Sequence, residues 1–334
     1  MLRWMDLTTV ADDEVVFHDG LDVRRHTGLR PDTTYDLDGQ QVRTLPRRGE
    51  LLTTFCTVND VHFGETECGI LEGFGDGPIY RSEPDAEPYP QLMNRCAIAE
   101  IQAVDPAAVV VKGDLTARGS LDEYKSFLDA YEPAFGDRLH HVRGNHDAYH
   151  GESFADAAPF AVELPGVTLA VIDTAIPLET PGRVTAETLE WLDQLAAEAD
   201  RPVLVFGHHH AWNPDASVRP EGYFGINPDD TDKLVEVVVR RERIAGYFAG
   251  HTHRNRVRRF NATRDVPWVE VGAVKDFPGA WAEYRVFDGG ILQVFRRISA
   301  PEALAWSEKT RDMYGGLYEG YAFGDLTERC FTVV

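Results

Sequence analysis

The chain has 334 residues, room for roughly two domains or for one large domain with an appendage. Hydrophobic residues make up 43% and charged residues 26%, which excludes a mainly disordered chain and leaves enough apolar surface for a sizeable core. Asp and Glu number 55 against 33 Lys and Arg, a formal charge of −22; this argues against an extended nucleic-acid or anionic-membrane surface, but not against a small anionic substrate, because a bound metal reverses the local field.

In chain order, residues 1–50 read as short β runs split by turns: Val15 to Phe17, Asp22 to Arg25, Thr33 to Leu37 and Gln41 to Thr44, with Asp38-Gly39 as a hairpin turn. Pro46 to Gly49 reads as a linker. From residue 51 strands and helices alternate. Phe55 to Asn59 is a strand, residues 64–90 a long Gly-, Pro- and acid-rich loop, and Gln91 to Val104 an amphipathic helix. Ala107 to Lys112 is a buried strand, and Ser120 to Glu123 is a capping box that opens a helix with Tyr124, Phe127, Leu128 and Tyr131 inward. Strands follow at Leu139 to Arg143, Val167 to Asp173, Pro202 to Phe206 and Ile244 to Ala249, with helices at 186–199 and 230–242. After residue 254 the chain turns to β structure, expected antiparallel: Arg256 to Phe260, Val266 to Val271, Trp281 to Phe287 and Ile291 to Arg296. The spans are a β-rich segment 1–50, an α/β domain 51–300, and an aromatic tail 301–334 that either packs on the core or makes a homodimer contact.

No run approaches the roughly 18–20 apolar residues of a membrane span, and the first residues carry no apolar signal core. Cys56, Cys68, Cys96 and Cys330 form no C-x-x-C pair, so reduced structural thiols and a cytoplasmic location are expected.

The polar residues able to carry chemistry fall where apolar strands end: Asp60-x-His62, Gly113-Asp114, Gly144-Asn145-His146-Asp147, His208-His209-His210 and Gly250-His251-Thr252-His253. In open α/β sheets, ligands bind outside the carboxyl ends of the strands. Imidazole, carboxylate and carboxamide oxygen together suit zinc, manganese or iron without thiolate. Two ions held about 3.5–4 Å apart need a shared ligand, and a carboxylate such as Asp114 is able to bridge them. Each motif alone is weak, because a turn or a solvated loop explains it. Five in this order, each after an apolar strand, are specific.

This ordered set, over about residues 52–260, resembles the calcineurin-like metallophosphoesterases. The resemblance implies an α/β fold, a four-layer α/β/β/α sandwich, here with the small N-terminal β appendage. It implies two divalent or mixed-valence ions per chain, manganese, iron or zinc, with manganese and iron favoured. Asp60, His62, Asp114 and His253 would hold the first; Asp114, Asn145, His208 and His251 the second. It places His146 beside the leaving group as general acid with Asp147 orienting it, and Asn145, His146 and His209 toward the substrate. Gly113-Asp114-Leu115-Thr116-x-x-Gly119-x-x-x-x-Tyr124 is similar to the class III cyclic-nucleotide phosphodiesterase branch, although His210 or Ala211 stands where that branch has proline. Ala117 stands where purple acid phosphatases carry the tyrosine of their iron centre, while residues 28–49, with Gly28-Leu29-x-Pro31-x-Thr33-x-Tyr35, faintly resemble their N-terminal β domain or are an ordinary hairpin.

The reading is a binuclear metal-dependent phosphoester hydrolase, a phosphodiesterase acting on a small phosphoester such as a cyclic nucleotide, in which a hydroxide bridging the metals attacks phosphorus and His146 protonates the leaving oxygen. A phosphomonoesterase acting on a small phosphorylated metabolite is the alternative within the class. A non-catalytic binding scaffold on the same fold is the alternative outside it, disfavoured because every ligand position is filled. Extended nucleic acid and membrane are not expected as partners. Loops 64–90 and 211–228 are expected to decide the substrate.

Overall fold

The computed structural model describes residues 5–70, 77–151 and 153–334. Five short strands come first: β1 (Asp6–Val10), β2 (Glu14–Asp19), β3 (Asp22–Thr27), β4 (Thr34–Leu37) and β5 (Gln40–Arg43). The first three make an antiparallel sheet and the last two a hairpin. Its turn is Asp38-Gly39, with φ of 49° and 78°, the left-handed pair that matches strand twist in a two-residue hairpin. β1 escapes apolar patterning because Thr8 and Thr9 are buried with satisfied hydroxyls. Thr8 Oγ1 donates to the Val16 carbonyl at 3.1 Å, and Thr9 Oγ1 donates to the Phe295 carbonyl at 2.8 Å.

The alternating part follows as β6 (Leu51–Val58), α1 (Tyr89–Val104), β7 (Val109–Lys112), α2 (Leu121–Phe135), β8 (Leu139–Val142), α3 (Asn145–Ala148), β9 (Phe160–Leu164), β10 (Val167–Val171), α4 (Ala186–Glu198), β11 (Val203–Phe206), α5 (Pro228–Arg240) and β12 (Ile244–Ala249). Then come β13 (Arg256–Arg259), β14 (Pro267–Glu270), β15 (Ala280–Phe287), β16 (Gly290–Arg297), α6 (Pro301–Thr310), α7 (Leu317–Phe323), α8 (Leu326–Arg329) and β17 (Phe331–Thr332). The long loop expected at 64–90 holds residues 71–76, which lie outside the described residues.

Two six-stranded sheets result, ordered β17-β16-β15-β6-β7-β8 and β13-β14-β12-β11-β10-β9. Their facing sides bury Phe55, Val110, Val171, Phe206, Phe248 and Tyr284. The outer face of the first is covered by α1 and α2 through Met93, Ile101, Phe127 and Tyr131; that of the second by α4 and α5 through Leu192, Leu234 and Val238. This is the four-layer α/β/β/α sandwich, and the N-terminal β structure packs on it through Val10, Val15, Phe17 and Val42 against Ala280 and Phe295. One strand departs from the antiparallel expectation: β14 pairs parallel to β12, because β13 crosses to the sheet edge before β14 returns beside β12. The edge strand β9, antiparallel to β10, was not expected; its alternation of half-buried and exposed residues gives a weak apolar signal.

Strand direction positions the chemistry. β6, β7 and β8 run parallel, as do β10, β11 and β12. The carboxyl ends of β6, β7, β8, β11 and β12 therefore open at one edge of the sandwich.

Candidate metal centre

Each of these five strands delivers its polar residues within a few positions of its end. Asp60, His62, Asp114, His251 and His253 all sit at positive φ, between 49° and 67°. Non-glycine residues adopt that region rarely, and such strain gathers at functional sites. The glycines between them are needed for close approach. A Cβ on Gly144 would stand 2.2 Å from Asp114 Oδ1, and one on Gly113 would stand 2.5 Å from His208 Nδ1.

Two donor sets result: Asp60, His62, Asp114 and His253, and His208, His209 and His251, the ligand atoms within each set lying within 4.8 Å of one another. Asp114 joins them. Its Oδ2 is 3.4 Å from His62 Nε2 and 3.3 Å from His208 Nε2. Asp60 Oδ1 is 3.4 Å from His253 Nε2, and its carboxylate accepts the His251 N–H at 3.0 Å. Asn145 Oδ1 is 3.1 Å from His208 Nε2, while Asn145 Nδ2 donates to Tyr149 Oη at 2.6 Å.

The donor chemistry fits metal ions. His208 Nδ1 donates to the Lys112 carbonyl at 2.8 Å, so in the neutral ring Nε2 is a lone pair. That lone pair faces two oxygens, Asp114 Oδ2 and Asn145 Oδ1, an arrangement that only a cation or a proton between them makes favourable. Both ring nitrogens of His62 are buried without a hydrogen-bond partner among the described residues, a costly state for a polar group left without a ligand. His251 Nε2 donates to the Phe224 carbonyl at 2.8 Å, which fixes its ring.

The field is strong. Burial opposes charge on His208, but Asp114 beside it prevails and pushes the ring up to about 9. Burial opposes charge on His253 as well, and Asp60 and Asp276 push it up to about 10. Burial, reinforced by Lys275, pulls His62 down to about 4; burial and the neighbouring His208 pull His251 down to about 3. Burial would raise Asp60 and Asp114, yet the imidazoles around them hold both below the usual carboxylate range.

His146 lies at the same edge, partly exposed, its ring 4.5 Å from that of His62. Its Nδ1 donates to the Ala117 carbonyl at 2.7 Å. Asp147, expected to orient His146, makes other bonds. Its carboxylate accepts from Gly144 N at 2.7 Å, Leu115 N at 3.0 Å, and Thr116 N and Oγ1 at 2.8 and 2.7 Å. It therefore ties the turn after β8 to the segment after Asp114, and Ala117 is what aims His146. His209, expected toward the substrate, is fully buried. Its Nε2 donates to the Thr180 carbonyl at 3.0 Å, and its Nδ1 pairs with Thr174 Oγ1 at 2.8 Å.

Sequence reasoning missed the residues behind these. Asn59 donates to Asp60 and to the Val271 carbonyl. Lys112 Nζ donates to the Ala249 carbonyl at 2.9 Å and so ties β7 to the end of β12; a lysine closing the run Val109-Val110-Val111 was the available signal. Glu65, Lys275 and Asp276, the last two buried and Glu65 largely so, form an acid–lysine–acid group that no short motif announces.

The family model for calcineurin-like phosphoesterases matches residues 53–255. Among curated relatives, a probable cyclic nucleotide phosphodiesterase of Synechococcus is 26% identical over 158 residues, 45% of this chain and 58% of that protein. A cAMP/cGMP dual specificity phosphodiesterase of Mycobacterium tuberculosis is 32% identical over 116 residues, 31% of this chain and 36% of that protein. A probable glycerophosphodiester phosphodiesterase of Arcobacter nitrofigilis is 24% identical over 166 residues, 45% of this chain and 57% of that protein. The chain thus spans between 36% and 58% of the length of these relatives. Two solved structures share the fold at 14% identity: a dimetal phosphatase from Danio rerio (TM-score 0.56, 75% of this chain and 98% of that one) and a purple acid phosphatase from yellow lupin (TM-score 0.52, 90% and 72%). With 53–255 matched and the Asp and His groups gathered as described, the chain belongs to the calcineurin-like phosphoesterases, a family of metal-dependent hydrolases of phosphate esters.

Proposed function

We propose that the chain is a phosphodiesterase with a binuclear centre, acting on a small phosphodiester such as a cyclic nucleotide. Asp60, His62, Asp114 and His253 would hold one ion, and Asp114, Asn145, His208 and His251 the other. The observation that carries this is the place of Asp114 Oδ2, within 3.4 Å of one imidazole from each set. When bound, two divalent ions supply Lewis-acid charge to a water and to the phosphoryl oxygens; manganese or iron suits the imidazole, carboxylate and carboxamide donors.

The chain's own residues do the rest. Asp60 and Asp114 bring two buried negative charges that the ions neutralise. His146 commits Nδ1 to Ala117, so only Nε2 is left to face a substrate, and a protonated ring delivers its proton from that atom to the leaving oxygen. Asn145 is fixed by Tyr149 with its carbonyl oxygen toward the centre. All three curated relatives above are diesterases by name, which favours a diester over a monoester. The charge of −22 favours a small substrate over extended nucleic acid, and four buried free thiols suit the reducing cytoplasm.

The test is a phosphoester panel on manganese-reconstituted protein, with cyclic nucleotides, glycerophosphodiesters and monoesters side by side, alongside metal analysis. Two equivalents of metal and a diester preference are expected. Asp114→Asn should lower occupancy of both positions, because it removes the shared charge. Wild-type occupancy in that variant would overturn the bridge, and a monoester preference would overturn the diesterase reading.

A further inference from the structure

Behind the first donor set lies a largely buried polar group assembled from distant segments. Lys275 Nζ donates to Glu65 Oε2 at 2.5 Å and stands 3.5 Å from Asp276 Oδ2. Tyr89 Oη donates to the same Glu65 oxygen at 2.6 Å, and Tyr318 Oη donates to Asp276 Oδ1 at 2.8 Å. Glu65 Oε1 faces His62 Nδ1 at 3.9 Å, and Asp276 Oδ2 faces His253 Nδ1 at 3.7 Å. The two imidazoles thus stand alike. Each turns Nε2 toward a carboxylate of the donor set and Nδ1 toward a carboxylate of this outer group.

The energetics explain why the group is built as a unit. Asp276 is fully buried and Glu65 largely so, a costly state for either carboxylate alone, and Lys275 between them offsets that cost. The acceptor that each Nδ1 needs is then present without a second unpaired charge. A metal-bound imidazole needs such an acceptor to fix its orientation and basicity. The gaps of 3.7 and 3.9 Å are longer than a hydrogen bond, so each carboxylate faces its Nδ1 without bonding it. No acceptor among the described residues bonds His62 Nδ1, so Glu65 is the one carboxylate that faces it.

The C-terminal segment holds this arrangement in place. Trp306 of α6 stacks on Tyr89 with ring centroids 4.3 Å apart, and its Nε1 donates to the Lys275 carbonyl at 2.9 Å. Thr310 Oγ1 accepts from Phe277 N at 2.9 Å. Tyr318 belongs to α7. Lys275, Asp276, Trp306 and Tyr318 all lie beyond the residues 53–255 that the family model matches.

We propose that Glu65 and Asp276, joined by Lys275 and locked by Tyr318, are positioning residues for His62 and His253, so that the C-terminal segment sets metal affinity at the first position and leaves the second unaffected. This rests on the two-metal reading of the centre.

The test is a manganese titration of initially metal-free protein, read as two separate equivalents, with cobalt(II) absorption as a report on ligand geometry. Glu65→Gln and Asp276→Asn keep side-chain shape and should each weaken one equivalent about 10- to 100-fold while the other stays as in wild type. Tyr318→Phe should weaken the same equivalent several-fold and perturb the cobalt spectrum. It removes one hydroxyl, so it carries the test alone if an acid variant does not fold. Wild-type affinity at both equivalents in all three variants, or equal loss at both, would overturn the proposal. A wild-type chain that takes up fewer than two equivalents would instead overturn the two-metal reading itself, and the proposal with it.

Discussion

The distinct bonding of His146 and Asp147 separates two roles that adjacent residues could be taken to share. Among the described residues the His146 ring bonds through Nδ1, and the backbone N–H that donates to Asp114 Oδ1 at 3.0 Å survives in an alanine variant, so loss of the ring should leave the donor sets intact and slow the chemistry. His146→Ala should cost about 10²–10⁴-fold for esters with basic alkoxide leaving groups and little for p-nitrophenolate, which leaves without a proton. Rates across esters of graded leaving-group pKa check this; a loss equal for every ester would show that His146 binds the phosphoryl group in ground and transition states alike. Asp147 accepts four hydrogen bonds from the two segments that carry Asp114 and Asn145. Asp147→Asn puts an amide N–H where a donor already points, at a cost of about 1–3 kcal/mol. It should lower the melting temperature and metal occupancy together, without changing the leaving-group dependence. The Gly-Asn-His-Asp motif revealed that these residues matter; it did not reveal that Asp147 turns away from His146, because hydrogen-bond direction depends on how the segment after Asp114 folds back. Glu65, Lys275 and Asp276 were illegible for the same reason: ordinary charged residues become an internal network only through tertiary contact.

Regular elements were legible wherever apolar periodicity set them. β12 falls at the expected residues, Ser120 and Glu123 form the expected reciprocal cap of α2, and Asp38-Gly39 makes the expected turn. β1 and β9 were not, since buried threonines and a half-exposed edge blur the pattern. The loops are less legible still, and one of them carries a residue suited to substrate choice. In the loop between β11 and α5, Phe224 gives its carbonyl to His251 Nε2; the residue is 47% exposed, with its ring 5.4 Å from that imidazole and 4.7 Å from His210. A half-exposed aromatic ring beside the centre is suited to stack on a nucleobase. Phe224→Ala keeps the carbonyl and removes the ring. Base stacking on an aromatic side chain contributes about 1–3 kcal/mol, so KM for a cyclic nucleotide should rise roughly 5- to 150-fold, with KM for a glycerophosphodiester little changed and metal content the same. Equal changes for both substrates would remove Phe224 from substrate choice.

The centre also links the global stability of the chain to pH, and the four imidazoles pull in opposite directions. No helix among the described residues is long and apolar enough to cross a membrane. A bound ion would act on the folding equilibrium through the two donor sets. In the metal-free chain His208 and His253 keep their protons up to about 9 and about 10, whereas an unfolded histidine releases its own near about 6.5. Their contribution is fully present below pH ~6.5 and is lost as pH rises through those values. His62 and His251 stay neutral down to about 4 and about 3. Their contribution is present above pH ~6.5 and is lost as pH falls through those lower values. From these four groups the metal-free chain should be most stable near pH ~6.5. Metal binding requires all four rings neutral, so at pH 7 it displaces the protons of His208 and His253, and affinity should climb as pH rises toward 9. Each ion at about 100 times its Kd adds about 2.7 kcal/mol. Melting temperatures measured in manganese and in chelator should therefore diverge from pH 6 to pH 9, the chelated protein losing stability while the gap widens, and proton uptake by a weakly buffered solution should record the release on loading. A gap that stays constant over that range would mean that His208 and His253 do not hold protons in the metal-free centre, and that the lone pairs around Asp114 are satisfied in some other way.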